Sequence, residues 1–343
     1  MKSPILGLLK WYWVRRIEIE QGSDSLIGEY WRKNLGTHLL LLVVAIIWGS
    51  TWAAGRFLSY GQEESPATLE PATAAWLRYV FAVLVFFLWA KTSREGSKIR
   101  FLPPDKDSWR FSIWLGLLGT MGYQLLFMNG MLWTAAGDAS LIIPLNPVFT
   151  VLLASPMLGQ RITGRMALGL LVGVSGVIVV VGWSPNSQIP FEHRLIGDGM
   201  IILAALMWAT TSNLTKIMMS WNNGYSALEI VIWYSFLGWL MLTPWMLFEI
   251  WGSTIPEPTH AEWATIAYLG ILSTVLSYVW FARGIEIVGP TAASSYVFLV
   301  PVFGVLSGWS LLGEEVGASM AVGFILIVMG VREVQRESDR LAA

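Results

Sequence analysis

The sequence contains no cysteine, which excludes disulfides, thiolate metal ligands and a cysteine nucleophile. Histidine is almost as scarce: His38, His193 and His260 are the whole complement. They share no spacing motif, and no His-x-x-x-His pair or carboxylate cluster falls inside an apolar run, so the usual equipment of a metal-dependent membrane enzyme is missing. No Gly-Lys-Ser/Thr loop cradles a nucleotide phosphate. Neither metal nor organic cofactor is implied. Only 13% of the residues are charged, and no stretch between apolar runs is long enough for a soluble domain of appreciable size.

What is present is hydrophobic sequence in long blocks. Over half of the chain is apolar (55%), and a hydrocarbon core of about 30 Å needs roughly 20 apolar residues per helix. That length predicts ten spans, near 38–57, 72–91, 111–132, 137–158, 165–183, 196–216, 226–248, 263–283, 290–312 and 317–333. The blocks are continuously apolar and do not alternate, which favours helices over a barrel. The expected fold is an all-α integral membrane protein. Residues 1–37 precede the first span. Ile5, Leu8, Leu9 and Tyr12 share one helical face there beside Lys10, Arg15 and Arg16, the pattern of an amphipathic interfacial helix, and no apolar core with a cleavage pattern suggests a signal peptide.

Of the 22 Lys and Arg residues, 19 fall on one side if both termini are cytoplasmic. Arg194 alone lies opposite, and Arg56 and Arg78 lie inside spans. Retention of positive charge in the cytoplasm fixes this orientation.

The chain repeats itself. A shift of 154 residues places Leu115, Gly116, Leu118 and Thr120 on Leu269, Gly270, Leu272 and Thr274, then Ala139 and Ser140 on Ala293 and Ser294, and Pro147-Val148-Phe149 on Pro301-Val302-Phe303. Gly169 and Gly176 reach Gly323 and Gly330, and a shift of 160 matches Ala45, Trp48 and Thr51 to Ala205, Trp208 and Thr211. Two halves of five spans each, 38–183 and 196–334, follow, joined by an extracytoplasmic linker at 184–195, with a cytoplasmic tail at 335–343. An odd number of crossings inverts the second half. Inverted repeats suit alternating access, because near-equivalent halves can exchange conformations about a central site.

Trp48-Gly49-Ser50-Thr51, Leu77-Arg78-Tyr79 with Ala82, and Leu115 to Thr120, followed by the Ala-Ser, Pro-Val-Phe and Leu-Gly signatures carried twice at 139–159 and 293–313, resemble the EamA-type members of the drug/metabolite transporter superfamily over residues 38–334. The resemblance implies ten helices and export of amino acids, related metabolites or toxic organic compounds from the bacterial cytoplasm across the inner membrane. It departs from the common pattern at Gln160, where Leu-Gly-Glu is frequent and where the second half has Glu314. The N-terminal extension also lies outside that pattern.

Candidate substrate-binding residues are polar or aromatic groups in mid-span. Trp48 and Trp208 are repeat-equivalent, away from the interfaces where Trp concentrates, and either pack helices or face a cavity. Arg78 lies about six residues into its span, roughly 9 Å deep. It either anchors a substrate carboxylate or pairs with Asp138 or Glu70. Gln124 and Tyr278 occupy equivalent positions, extended by Tyr123 and Asn146. Thr51, Thr211, Tyr296, Asn213 and Ser295 either join them or bond between helices. Pro147 and Pro301, with Pro144 beside the first, are candidate hinges, because proline removes a backbone bond and bends a helix. The expected activity is secondary export of a small metabolite, an amino acid or related compound; the alternatives are a multidrug or organic-cation carrier, or a channel-like pore. The implied partners are the substrate and the lipid bilayer, with no nucleic acid, and a monomer or weak homodimer.

Overall fold

The computed structural model describes residues 34–62, 65–92, 99–158, 162–221, 224–251, 256–288, 293 and 296–342. The expected interfacial helix within residues 1–37 and the position of Gln160 lie outside the described residues, as does Ser295. The described chain is helical apart from a hairpin of two two-residue strands, β1 (Gly61–Gln62) and β2 (Ser65–Pro66). Among the described residues, nine helices are long and apolar enough to cross a membrane. They are α1 (Asn34–Tyr60), α2 (Pro71–Thr92), α3 (Lys106–Trp133), α4 (Ala136–Met157), α5 (Gly164–Gly182), α6 (Phe191–Met219), α7 (Ala227–Ile250), α8 (His260–Val288) and α10 (Ala318–Ala342). Between the last two lies the shorter apolar helix α9 (Val300–Leu312). The chain is therefore a multi-pass membrane protein, with ten apolar helices among the described residues.

Several helices begin before the apolar blocks do, and capping is the reason. The four N–H groups of a first turn need acceptors, and polar residues supply them. Asp105 forms a reciprocal box with Ser108 at the start of α3, and Thr259 with Glu262 at α8. These polar first turns are helical without being hydrophobic.

Helix contacts come in matched pairs: α2 packs on α7, α4 on α9, and α5 on α10, each a helix against its own repeat equivalent. The α5–α10 contact makes the symmetry explicit. A Cβ at Gly169 would lie 2.8 Å from the Gly330 carbonyl oxygen, and one at Gly176 would lie 2.7 Å from that of Gly323. Gly169 is the repeat equivalent of Gly323, and Gly176 that of Gly330. The two contacts are one contact seen twice about a pseudo-twofold axis. Small residues let backbones approach where lipid supplies no hydrophobic drive between helices. Outward faces carry exposed Leu171, Ile178, Phe248, Ile325 and Met329, while Trp114, Trp183 and Trp251 sit exposed toward helix ends. That arrangement is a lipid-facing belt edged by aromatic rings.

The membrane face where α1 begins is called here the near face, and the opposite one the far face. On the far face, glutamates from one half close helix starts in the other. Glu249, ending α7, accepts from the Ala72 and Thr73 amides of α2 at 2.8 and 2.7 Å. Glu314, between α9 and α10, accepts from the Ala136 and Gly137 amides of α4 at 2.6 and 2.8 Å. A carboxylate at a helix N-terminus meets orphan donors and the positive end of the dipole. Glu314→Gln keeps an acceptor and removes the charge, so it is expected to lower stability by about 1 kcal/mol. A thermal melt of the detergent-purified protein reads this as a modest fall in midpoint.

On the near face the start of α3 is tied to that of α7. Arg100 Nε meets Glu229 at 2.8 Å, and the Tyr225 hydroxyl donates to Asp105. That hydrogen bond holds the Asp105 carboxyl below its usual range, while the bond to Glu229 raises Arg100.

Candidate functional site

Two local irregularities bring polar groups together near the middle of the bundle. α3 and α8 each contain a π-helical turn at repeat-equivalent positions, Gly116–Gly122 and Tyr268–Leu276. Wide turns of this kind are frequent at functional sites. α4 is broken by a tight 3₁₀ turn at Ile143–Leu145, and Asn146 opens its second piece. Pro147 is thus the second residue of a helical segment, and Pro301 is likewise the second residue of α9. Each proline stands where its missing N–H leaves no gap in the ladder. The break precedes the proline in both halves.

Around these breaks lies a cavity of about 200 Å³. It is lined by Trp48, Thr51, Arg78, Tyr123, Gln124, Asn146, Trp208 and Tyr278, together with Trp52, Tyr79, Ile143, Ser273, Thr274, Val297 and Val300. Eight of the ten expected binding residues thus converge. The rings form a box: Trp48 lies 5.7 Å from Tyr278, Trp208 lies 5.5 Å from Tyr123 and 6.2 Å from Tyr278, and Trp52 lies 5.3 Å from Phe127.

Arg78, with 8% of its surface exposed, is the cation of this cavity. Its Nε and one terminal nitrogen donate to Thr274 Oγ1 at 3.2 and 3.1 Å, and the other donates weakly to Gln124 Oε1 at 3.4 Å. The expected alternative of a pair with Asp138 or Glu70 is not what the fold builds. Asp138 is bound to Ser184, and Glu70 is exposed at the start of α2. Among the described residues no carboxylate forms an ion pair with Arg78. A buried cation that bonds only neutral acceptors is poised for an anion, because desolvating a charge is expensive until a counter-charge arrives.

Two further lining atoms are buried without a hydrogen-bond partner, Asn146 Oδ1 and Trp52 Nε1. Buried polar atoms are rarely left unmatched, so one acceptor and one donor here are available to a ligand or to water. Trp48 offers no such donor, since its Nε1 is engaged by the Ser273 carbonyl at 3.2 Å.

Two expected residues stand apart. Thr211 is the equivalent of Thr51, yet it is absent from the lining. The Thr51 hydroxyl meets Ser273 Oγ at 2.9 Å, whereas Thr211 faces Gly119, where a Cβ would come within 2.6 Å of its methyl. Ser273 and Gly119 are equivalent positions, and the missing side chain at Gly119 lets Thr211 close against α3. Tyr296 lies nearer the near face, with its hydroxyl 2.9 Å from His38 Nδ1. Asn213 donates to the Thr150 carbonyl at 2.9 Å, a bond between helices. The sequence reading missed Trp52, Tyr79, Ser273 and Thr274. The last two belong to the Leu-Gly-x-Leu-x-Thr repeat, whose π turn sets their direction.

The profile of the EamA-like transporter family matches residues 35–182 and again 195–333, one copy per half. The "Uncharacterized transporter YyaM" of Bacillus subtilis is 25% identical over 87% of this chain and 93% of its own. A "Probable amino-acid metabolite efflux pump" of Escherichia coli is 24% identical over 85% and 92%. A "Probable terminal-alkyne amino-acid exporter" of Streptantibioticus cattleyicolor is 26% identical over 65% and 72%. A solved crystal structure at 18% identity superposes with a TM-score of 0.56 over 88% of this chain and 98% of its own, which concerns the fold alone. With two inverted copies of the profile meeting around one central cavity, the chain belongs to the EamA-like transporter family.

Proposed function

We propose that the chain exports a zwitterionic amino acid or closely related metabolite with an apolar or aromatic side chain, by alternating access through the central cavity. The near face is the cytoplasmic one in this reading, following the Lys and Arg bias, and the membrane is the bacterial inner membrane. The observation that carries the cargo class is the combination of an unneutralised Arg78, an unmatched Asn146 Oδ1 acceptor and an aromatic box in one cavity. A guanidinium fork suits a carboxylate. A lone amide oxygen suits an ammonium, and the rings suit the remainder.

Size supports the same class. An apolar cavity of about 150 Å³ holds benzene, whereas pockets for drug-sized ligands run to about 300–1,000 Å³. A cavity of about 200 Å³ fits one ring-bearing metabolite. A fixed positive charge at the same place disfavours organic cations. Two relatives whose names specify amino-acid or amino-acid metabolite export add weight.

The test is counterflow into liposomes holding the purified full-length protein, with labelled phenylalanine and leucine beside a labelled organic cation. Saturable amino-acid exchange is expected, weakened at least about tenfold in Gln124→Ala and Trp48→Ala, the magnitude of one lost contact of about 1.4 kcal/mol. Exchange of the cation alone, or amino-acid flux that does not saturate, overturns the assignment.

A further inference from the structure

A second polar cluster, toward the far face from the cavity, is used by none of the substrate contacts. Asp138 on α4 and Asp198 on α6 are both 0% exposed. One oxygen of each is bound by a hydroxyl: Ser184 Oγ donates to Asp138 Oδ2 at 2.6 Å, and Thr134 Oγ1 donates to Asp198 Oδ1 at 2.5 Å. The other oxygens, Asp138 Oδ1 and Asp198 Oδ2, are buried without a partner.

The charge of Arg194 acts on both aspartates, but no ion pair neutralises either among the described residues. Arg194 of α6 is also buried, but its terminal nitrogens donate to the Asn186 and Val181 carbonyls at 3.3 and 3.2 Å, and its Nε has no partner. It forms no ion pair with either aspartate among the described residues. Glu314 faces Asp138 from the loop before α10, and Arg56 of α1 faces Glu314 while donating to the Met131 carbonyl. Burial pushes the Glu314 carboxyl upward, against the pull of the Gly137 and Ala136 amides and of Arg56. The turn after α3 contributes Thr134, the linker before α6 contributes Ser184 and Asn186, and α10 contributes the apolar Met320 beside Gly137. Two buried aspartates and the half-buried Glu314 thus lie near two buried guanidiniums, Arg56 and Arg194. The buried Asn186 Nδ2 is a further unmatched polar atom there.

We propose that the Asp138–Asp198 pair is a proton-binding site, separate from the substrate cavity, that couples export to inward proton movement. One proton passes from water on the far face to a carboxylate oxygen of the pair and brings the cluster to balance; no covalent bond changes. Two carboxylates that interact within one buried site take up a proton as a unit. The mechanical link to substrate is short. α4 runs eight residues from Asp138 to Asn146, about 12 Å by helical rise, and α6 runs ten from Asp198 to Trp208, about 15 Å. Both Asn146 and Trp208 line the cavity. Asp198 is moreover the repeat equivalent of His38, a buried titratable group at the near-face end of α1, so the two faces carry ionisable groups at matched positions. This coupling rests on the carrier reading above; the proton site itself does not.

Infrared difference spectra of the purified full-length protein between acidic and alkaline buffer test the site without any substrate. A protonated-carboxyl band that titrates in the wild type is expected to disappear in Asp138→Asn with Asp198→Asn combined. Ser184→Ala removes a donor to the ionised form, so it is expected to shift the band's titration toward higher pH. An unchanged band in the double variant overturns the proton site. The coupling arm uses labelled phenylalanine in proteoliposomes. A proton gradient is expected to drive uptake severalfold above the equal-pH level in the wild type, and not in Asp138→Asn, while equal-pH exchange persists in both and reports folding. Wild-type exchange that ignores the gradient overturns coupling and leaves the carrier reading standing. Absence of wild-type exchange overturns the carrier reading and the coupling with it, and the infrared result still decides the proton site.

Discussion

Arg78→Ala is expected to reduce the transport efficiency for zwitterionic amino acids by roughly ten- to a hundredfold, the largest loss of any single substitution in the cavity. A charge-assisted hydrogen bond contributes about 1.5–3 kcal/mol, and each 1.4 kcal/mol is tenfold in affinity. The loss should fall mainly on apparent affinity, because the guanidinium holds the carboxylate in the ground state as firmly as at any later step. Arg78→Lys keeps the charge and discards the fork, so it should recover only part of the loss. The reciprocal experiment is sharper. An amine that lacks the carboxylate should be a poor competitor for the wild type and a better one for Arg78→Ala, because removing the fixed charge removes the repulsion. Folding should survive, since Thr274 Oγ1 keeps its own bond to the Leu269 carbonyl at 2.8 Å. Equal competition by the amine in both proteins would mean that Arg78 serves helix packing and not cargo.

The architecture was legible in the sequence because its determinants are one-dimensional. Span length and the recurrence of glycine and proline at fixed shifts need no knowledge of side-chain direction. The cavity was legible for a related reason: a polar or aromatic residue in mid-span must face protein or water, and Trp48, Gln124, Asn146 and Tyr278 all do so at one place. What the sequence could not give was direction around each helix. Thr211 was grouped with Thr51 by symmetry, yet Gly119 in place of a serine let it close against α3. Ser273 and Thr274 were overlooked because a π turn redirects the residues it contains, and no propensity rule marks such a turn. The neighbours of Arg78 were open for the same reason. Helix starts were placed late wherever a polar capping box, as at Asp105 or Thr259, continues the helix beyond its apolar block.

Gly330→Leu is expected to be among the most destabilising substitutions available on the scaffold, although Gly330 lies outside the cavity. A Cβ there meets the Gly173 backbone nitrogen and the Gly169 carbonyl oxygen, and lies 2.7 Å from the Gly173 Cα. The obstructing atoms are backbone, so no rotamer change relieves the clash, and α5 and α10 must separate. Overpacking a core costs about 1–3 kcal/mol where side chains can adjust; without that freedom the cost should sit at or above the upper end. Separation also forfeits the matched contacts at Gly169, Gly176 and Gly323, because all four glycines serve one interface. Gly182→Leu is the control, since an added Cβ at the end of α5 meets nothing within 4 Å. A melt followed by size-exclusion chromatography in detergent should show Gly330→Leu aggregating well below the wild-type midpoint, with Gly182→Leu close to it. Equal midpoints for the two variants would mean that the α5–α10 seam is not close-packed, and the pseudo-twofold placement of the two halves around the cavity would lose its firmest support.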